Sequence, residues 1–429
     1  MKTQEIAIKG KSKIDVTLSD DAKALDEVVV IGYGTAKRKD ITGSVASVNS
    51  ETLAAIPVAS ATEALQGKMA GVQITTTEGS PDAQMSIRVR GGGSITQSNE
   101  PLFIVDGFPV ESISDIPPTD IESIDVLKDA SSTAIYGARG ANGVIIVTTK
   151  SGKEGKVSVS YNAYYAWKKV AKTLDVLSAS DYTKWQYELA QLTNKNDDYI
   201  KYFGNYQDLD MYDNVATNDW QDLTFGRTGH SFNHNLSING GSDKFKYSFS
   251  YSHIDDKAIM QMSDYARDNL NLKLNHKPLK NVSLDFSARF SKTKINGGGS
   301  NDANSSLNTD KRLKYSLLYT PYPVPGISDA LNADEEDANS LLINPLISLR
   351  DNDTRKERIN YNLAGSITWE IIKDLKLKAE VGYDDYRNNA DRYYGVTTYY
   401  VRNNVDDEDK SKPAISFTRG TRTAFRSTN

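Results

Sequence analysis

The second part of the chain is dominated by strict alternation of apolar and polar residues, a period that a β-strand produces and a helix does not. It begins after Gly155, where Val157, Val159 and Tyr161 alternate with serines and an asparagine. Seven segments share the pattern, at residues 157–167, 231–239, 245–252, 269–275, 282–291, 359–371 and 375–383. Each such strand has one apolar and one polar face. The sequence therefore predicts a large antiparallel sheet whose two faces meet different surroundings.

The connections between these segments differ in length. Tight turns are predicted at residues 240–243, 277–280 and 372–374, whereas long polar segments cover 168–229, 254–264, 296–356 and 385 to the end. Transmembrane β-barrels have this asymmetry, with short turns on one side of the membrane and long loops on the other. Polar faces rich in Ser and Asn suit a wet lumen, and 24 Tyr against 11 Phe fit the aromatic girdles of a barrel. A soluble β-sandwich or solenoid also alternates and stays open as an alternative.

Composition excludes several classes of protein. The 429 residues carry 51 basic and 56 acidic side chains, so the basic excess of a nucleic-acid-binding protein is missing. The lack of cysteine excludes a disulfide scaffold, thiol catalysis and cysteine-ligated zinc. No stretch approaches the roughly 18 apolar residues of a transmembrane helix, and no signal peptide is recognised at the start. A mean hydropathy of −0.52 suggests a soluble cytoplasmic protein, but alternation can hide an apolar face inside a polar mean.

Before Gly155 the sequence predicts shorter elements. Residues 1–25 hold one or two short strands with nothing to pair against, whereas residues 36–152 combine short strands, short helices and many turns. Ser60 or Thr62 can cap a helix that runs through Gln66, and Asp129 can cap a second one from Ala130 to Tyr136. Asp106-Gly107 is a strong turn dipeptide. These signals predict a compact α+β domain over residues 36–152.

No motif makes a case for catalysis, a cofactor or a metal. Gly32-Tyr33-Gly34 imitates a dinucleotide fingerprint, but Lys37 stands where the third glycine belongs, which leaves an α/β enzyme as a remote alternative. Gly91-Gly92-Gly93-Ser94 lacks the Lys and Ser/Thr of a phosphate-binding loop and predicts a flexible loop. His230 and His234 share a strand face but lie about 13 Å apart at strand rise, too far for one metal ion.

Several segments resemble, in the right order, the motifs of one protein family. Residues 26–34 (DEVVVIGYG) resemble a TonB box, and residues 64–72, 87–91 and 101–107 are similar to plug-domain motifs. The strongest match covers residues 120–130, 134–137 and 141–150. On these segments the chain resembles the SusC/RagA-like TonB-dependent outer-membrane transporters of Bacteroidota.

The resemblance implies an α+β plug domain followed by antiparallel transmembrane β-barrel strands. The implied parts are a remnant of a β-sandwich-like domain (1–25), a TonB-box segment (26–35), a plug domain (36–152) and the N-terminal part of a transmembrane β-barrel with long extracellular loops (153–429). Such barrels close with about 22 strands, whereas seven are counted here. The barrel is therefore expected to be incomplete, with Met1 an internal methionine and Asn429 in an extracellular loop of a truncated sequence.

The resemblance also implies a function: import of a nutrient of the glycan or peptide class across the bacterial outer membrane, by plug displacement powered through TonB. The expected partners are TonB, a SusD-like surface lipoprotein, outer-membrane lipid and the nutrient, and no nucleic acid. TonB is expected to pair with an extended segment formed by Asp26, Glu27, Val28, Val29, Val30, Ile31 and Gly32. The weaker candidates for a plug loop that faces the ligand are Arg88, Arg90, Gly91, Gly92 and Gly93.

Two further expectations concern the plug and the alternatives. Arg88, Arg90 and Arg139 are expected to hold the plug in the lumen by pairing with carboxylates of the wall. A surface adhesin or antigen built on the same scaffold, without transport, is the second functional interpretation. Energised uptake that depends on residues 26–32 would separate transport from adhesion.

Overall fold

The computed structural model describes residues 28–31, 34–37, 45–54, 58–76, 82, 85–94, 98–297, 312–325, 343–373, 375–402 and 411–428. The predictions for residues 1–25 and for Asp26, Glu27 and Gly32 lie outside the described residues. The first two strands, β1 (Val28–Ile31) and β2 (Gly34–Lys37), pair antiparallel as a short hairpin in which Val29 lies opposite Ala36.

The predicted α+β domain is built around a five-stranded sheet with the order β3-β8-β9-β6-β7. Its strands are β3 (Val45–Asn49), β6 (Leu102–Val105), β7 (Phe108–Val110), β8 (Ile121–Leu127) and β9 (Val144–Thr149), and a separate hairpin is formed by β4 (Val72–Thr76) and β5 (Met85–Val89). Only β6 and β9 run parallel. β8 and β9 consist almost entirely of buried side chains, which include Ile124, Val126, Ile145 and Val147. These central strands supply the apolar core of the domain.

Short helices flank this sheet. They are α1 (Ser50–Ala54), α2 (Ala61–Ala64) and α3 (Ala130–Thr133), with 3-10 helices at Pro118–Asp120 and Ala134–Gly140. Ser60 caps α2 as predicted, because its hydroxyl accepts a hydrogen bond from the backbone N–H of Glu63 at 3.2 Å. The predicted cap by Asp129 is wrong: the residue precedes α3, but its side chain makes no capping hydrogen bond. It forms an ion pair with Arg90 instead, at 2.5 Å.

The alternating segments form one antiparallel sheet, hereafter the wall, in which each strand pairs with the next along the chain. Its strands are β10 (Gly155–Lys168), β11 (Gly229–Gly241), β12 (Phe245–Lys257), β13 (Asp264–Leu279), β14 (Val282–Asn296), β15 (Thr354–Ile372), β16 (Leu375–Tyr394) and β17 (Ala414–Thr428). Eight strands are described where seven were predicted. Strand β17 was not predicted because Arg419, Thr421 and Thr423 interrupt the apolar positions between Phe417 and Phe425.

The two faces of the wall differ as the alternation predicted. On the outer face, Val159, Phe286 and Trp369 are 62%, 42% and 45% exposed. On the inner face, Ser250, Asn269 and Asn271 are buried against the α+β domain. An apolar band this extensive on an outward face fits lipid, and a Ser- and Asn-rich inner face fits a polar lumen.

The connections alternate between short and long, and the short turns all lie at one edge of the wall. They join β11 to β12, β13 to β14 and β15 to β16. The long connections carry α4 (Ala179–Thr193), α5 (Asn196–Phe203), α6 (Trp220–Phe225), α7 (Arg312–Leu318), α8 (Pro345–Asp351) and α9 (Tyr399–Arg402), with a 3-10 helix at Tyr206–Asn214. The connection predicted over 254–264 is shorter, since β12 ends at Lys257 and β13 begins at Asp264.

The helical connections have a core of their own, in which Tyr182, Tyr199, Phe203 and Tyr322 are buried. The buried hydroxyls of Thr183 and Tyr322 hydrogen-bond at 2.5 Å and join the connection between β10 and β11 to that between β14 and β15. In the parts of the chain that are described, no helix has the length and apolar character needed to span a membrane.

Candidate functional site: the contact between plug domain and wall

The tip of the β6–β7 hairpin is the best-defined contact between the α+β domain and the wall. Asp106 and Gly107 form its turn, as predicted, with φ values of 50° and 90°. The carboxylate of Asp106 accepts hydrogen bonds from the backbone N–H and the hydroxyl of Thr149, at 2.9 and 2.8 Å. Lys273 of β13 lies 2.7 Å from the same carboxylate and also donates to the carbonyl of Thr149 at 2.8 Å.

This ion pair is shielded from water, since the side chains of Lys273 and Asp106 are 15% and 13% exposed. Burial alone would raise the pKa of Asp106, but the charges of Lys273 and Arg289 outweigh it and hold that pKa below its ordinary value. Asp106 is therefore a charged carboxylate that the wall binds directly. Its pairing fixes the hairpin to β13.

Three more wall contacts hold the rest of the hairpin. Phe108 packs against Gly382 of β16, where a β-carbon would lie 2.6 Å from the edge of its ring. On β17, Arg426 donates to the carbonyl of Pro109 and Arg422 pairs with Glu111. A cavity of about 330 Å³ remains beside the hairpin, with Asp106, Lys273, Asp285, Ser366 and Glu380 among its lining residues. The hairpin is thus bound to three strands of the wall but leaves open space at its side.

A second group of contacts lies nearer the long connections. Arg267, close to the start of β13, donates to the carbonyl of Ser114 at 2.8 Å and to the carbonyl of Ala59. Arg358, close to the start of β15, pairs with Asp82 and lies 3.9 Å from Asp115. Burial raises the pKa of Asp82 above its ordinary value, although Arg358 opposes the shift. Two wall arginines thus hold this side of the domain.

Between these two groups the wall offers neutral partners. Asp120 is 5% exposed and faces the amide of Asn235, at 3.5 Å, and the hydroxyl of Ser250. Burial raises the pKa of Asp120, because these neutral groups and the charges of Lys150 and Arg267 offset its desolvation only in part. A smaller cavity of about 50 Å³ adjoins it. Within the described residues, Asn271 Oδ1, Asn360 Oδ1 and Arg289 Nη1 reach this cavity without a hydrogen-bond partner.

The predicted ligand-facing residues lie at the other end of β9 from Thr149. Arg90 and Gly91 have φ values of 58° and 99°, and the backbone N–H groups of Gly93 and Ser94 both donate to Asn99 Oδ1 at 2.8 Å. Arg88, Gly91, Gly92 and Gly93 are exposed. The residues therefore lie close together, with Arg88 near the end of β5 and the others in the exposed loop that follows, and their contact with a ligand stays a prediction.

The predicted pairing of Arg90 with a carboxylate of the wall is wrong, whereas the same role for Arg88 and Arg139 stays a prediction. Arg90 pairs with Asp129 of its own domain. In the described part of the chain, the ion pairs between domain and wall place the carboxylate on the domain and the cation on the wall. No cation of the wall was predicted to hold the plug, although the wall supplies the cations of these ion pairs.

The predicted TonB-pairing segment is described only in part. Val28–Ile31 forms a strand as predicted, and the structure adds a partner strand, Gly34–Lys37. A strand after Gly34 does not fit a dinucleotide site, which needs a helix there. No cluster of three or more potential metal ligands occurs in the described residues. His230 and His234 instead face Tyr165 and Tyr161, with ring nitrogen to hydroxyl distances of 2.9 and 2.5 Å.

Comparisons with known proteins agree with this architecture. The family model described as the TonB-dependent Receptor Plug Domain matches residues 37–144. A TonB-dependent receptor of Formosa agariphila is 34% identical over 92% of this chain and 37% of its own length. The TonB-dependent receptor SusC of Bacteroides thetaiotaomicron is 40% identical over 60% of this chain and 25% of its own. A structure of the RagAB peptide importer superposes on 93% of this chain and 46% of its own, with 27% identity and a TM-score of 0.67.

The chain belongs to the SusC/RagA-like TonB-dependent receptors. It spans less than half the length of these curated relatives and of the matched structure. Within this family the α+β domain is the plug, and the wall is part of a transmembrane β-barrel that eight described strands do not close. The relatives are receptors rather than enzymes by name.

The wall residues that hold the plug of this SusC/RagA-like receptor were not predicted from the sequence. For two of them, Lys273 and Arg289, the sequence nevertheless contains a recognisable signal. The polar face of the segment 269–275 is Asn-rich, and that of 282–291 is Ser-rich, so Lys273 and Arg289 are conspicuous cations there. A cation on a face that turns into the lumen needs a partner, and the nearest one is a carboxylate of the plug. Asp106, in a turn dipeptide, gave no comparable signal.

Proposed function

We propose that this receptor imports a nutrient of the glycan or peptide class across the bacterial outer membrane, by plug displacement powered through TonB. The observation that carries the proposal is the plug itself. It is a separately folded domain with its own core, and polar side chains link it to the inner face of a wall whose outer face is apolar. Such a domain can leave its site without unfolding the barrel.

The names of the similar proteins support the nutrient class and the partners. One relative is SusC, a TonB-dependent receptor, and one matched structure is of the RagAB peptide importer. By this likeness the receptor would work with TonB and with a SusD-like surface lipoprotein. The ligand would meet the plug at Arg88, near the end of β5, and at the loop of Arg90 and Gly91–Gly93, which lies at the end of β9 away from the contact with Lys273.

The TonB-pairing segment would be Asp26 to Gly32. A partner strand can add to its free edge through backbone hydrogen bonds, which transmit a pull along the chain. Val28–Ile31 is already extended and, among the described strands, pairs only with Gly34–Lys37, on one side. TonB would bind the other edge of Val28–Ile31 or displace Gly34–Lys37 from it.

The test is energised uptake by a full-length receptor that contains this sequence. Val29→Pro removes a backbone donor from the segment and should abolish uptake while ligand binding persists. Ala36→Pro is the matched control, because it disturbs the hairpin from the partner strand but leaves every donor of residues 26–32 in place. Uptake that survives Val29→Pro would refute the assignment, and so would equal losses in both variants.

A further inference from the structure

The contact between plug and wall is asymmetric in charge. Within the described residues, every ion pair between them joins a plug carboxylate to a wall cation, and the carboxylates are those of Asp82, Asp106, Glu111 and Asp115. Asp120 is a fifth plug carboxylate buried at the wall. The plug therefore presents negative charge to the inner face of the wall.

The inner face of the wall is cationic where it meets the plug. Seven cationic side chains contact the plug or line the cavities beside it: Arg267, Lys273, Arg289, Arg358, Lys378, Arg422 and Arg426. In the same described regions only two wall carboxylates, Asp285 and Glu380, line these cavities. The excess of positive charge is a property of strands β13 to β17.

Plug displacement would leave part of this charge without partners. Arg422 keeps Asp384 and Lys378 keeps Glu380, because both carboxylates belong to the wall. Lys273 and Arg358 lose the carboxylates of Asp106 and Asp82, Arg267 loses two plug carbonyls, and Arg426 loses the carbonyl of Pro109. The route opened by the plug is then lined on this side by four cations, set among the Ser and Asn side chains of the inner face.

We propose that the nutrient is anionic, an oligomer carrying carboxylate or sulfate groups that the cations freed by the plug attract and guide. In the closed receptor the plug carboxylates occupy the positions that the anionic groups of the nutrient take during passage. Rings of charged side chains select ions of opposite sign in other pores by the same electrostatics. The inference rests on the proposed transport function and adds the charge of the substrate to it.

The first test measures the charge selectivity of the route. A full-length receptor containing this sequence is placed in a planar bilayer, the plug is opened with urea, and the reversal potential is measured in a potassium chloride gradient. The open route should prefer chloride, and Lys273→Gln with Arg358→Gln should shift the reversal potential toward zero. Lys292→Gln is the matched control, since Lys292 pairs with Glu357 on the outer face of β14.

The possible results separate the two proposals. A current that prefers potassium, or one that the double variant leaves unchanged, would overturn the charge inference and leave the transport function standing. If no current appears although the plug is unfolded, no route exists, and the proposed function fails together with this inference.

The second test uses defined solutes in energised uptake. Tetragalacturonate is compared with maltotetraose, and a tetraglutamate peptide with tetraglutamine, so that an acidic glycan and an acidic peptide are each set against a neutral counterpart. We expect the acidic member of one pair to be preferred, and the preference to fall in the double variant but not in Lys292→Gln. Preference for the neutral member in both pairs would contradict the inference.

Discussion

Lys273→Gln tests the physical account of how the plug is held. The change removes the cation that lies 2.7 Å from Asp106 and leaves a buried carboxylate with the two hydrogen bonds from Thr149. Loss of one partner of a buried ion pair costs about 3–5 kcal/mol, and the remaining hydrogen bonds place this case near 3 kcal/mol. With a urea dependence of about 2 kcal/mol per molar, the plug should open at roughly 1.5 M less urea.

The assay is the urea concentration at which a full-length receptor begins to conduct in a planar bilayer. Lys273→Gln combined with Asp106→Asn should recover most of the loss, because the buried side chain that has lost Lys273 then carries no charge. The difference from wild type should also shrink as the pH falls: the lowered pKa of Asp106 means that its pairing stabilises the plug above the ordinary Asp range and is lost as the carboxyl protonates. An unchanged urea midpoint in the single variant, or no recovery in the double one, would refute the reasoning.

Two further changes probe the same contact with the same assay. Gly382→Ala should lower the urea midpoint, because its β-carbon would lie 2.6 Å from Phe108 and such overpacking costs about 1–3 kcal/mol. Gly420→Ala is the control and should leave the midpoint unchanged, because the nearest neighbour of its β-carbon would lie at 3.5 Å. Asp120→Asn should raise the midpoint at neutral pH, because burial raises the pKa of this carboxyl and its charged form costs stability there. That gain should vanish below the ordinary Asp pKa, where both side chains are neutral, and a gain that persists would contradict the electrostatic explanation.

Much of the fold could be predicted from the sequence because the wall strands have a strong local signal. Period-two alternation marked seven of the eight described strands, and the turn at Asp106-Gly107 was recognised from its residue types. β17 was missed where Arg419 and Thr421 replace apolar residues, since a partner strand, β16, rather than local alternation keeps it in the sheet. Helix caps were predicted less well: the hydroxyl of Ser60 accepts the capping hydrogen bond from Glu63, whereas the carboxylate of Asp129 pairs with a cation, Arg90.

The candidate site was harder to predict because its contacts join residues far apart in the chain. Asp106 and Lys273 are 167 positions apart, and Asp82 and Arg358 are 276 apart. Resemblance to a family placed a plug inside a barrel but did not say which side supplies the cations. The arrangement of carboxylates on the plug and cations on the wall follows only from the strand register, which places Lys273 and Arg358 on the inner face.

The plug carboxylates are not equivalent, and the difference bears on where the plug should first separate from the wall. Asp106 has a cation at hydrogen-bond distance and a lowered pKa, whereas Asp120 has neutral partners and a raised one. Separating Asp106 from Lys273 costs free energy and opposes removal of the plug. Separating Asp120 from the wall costs little free energy, because Asp120 regains hydration when it leaves the wall. A pull on the plug should therefore open the interface around Asp120 and the small cavity beside it before the pair of Asp106 and Lys273 breaks. This difference is why the urea midpoint is expected to rise in Asp120→Asn and to fall in Lys273→Gln. Changes of the same sign in both variants would mean that the two carboxylates contribute alike to holding the plug.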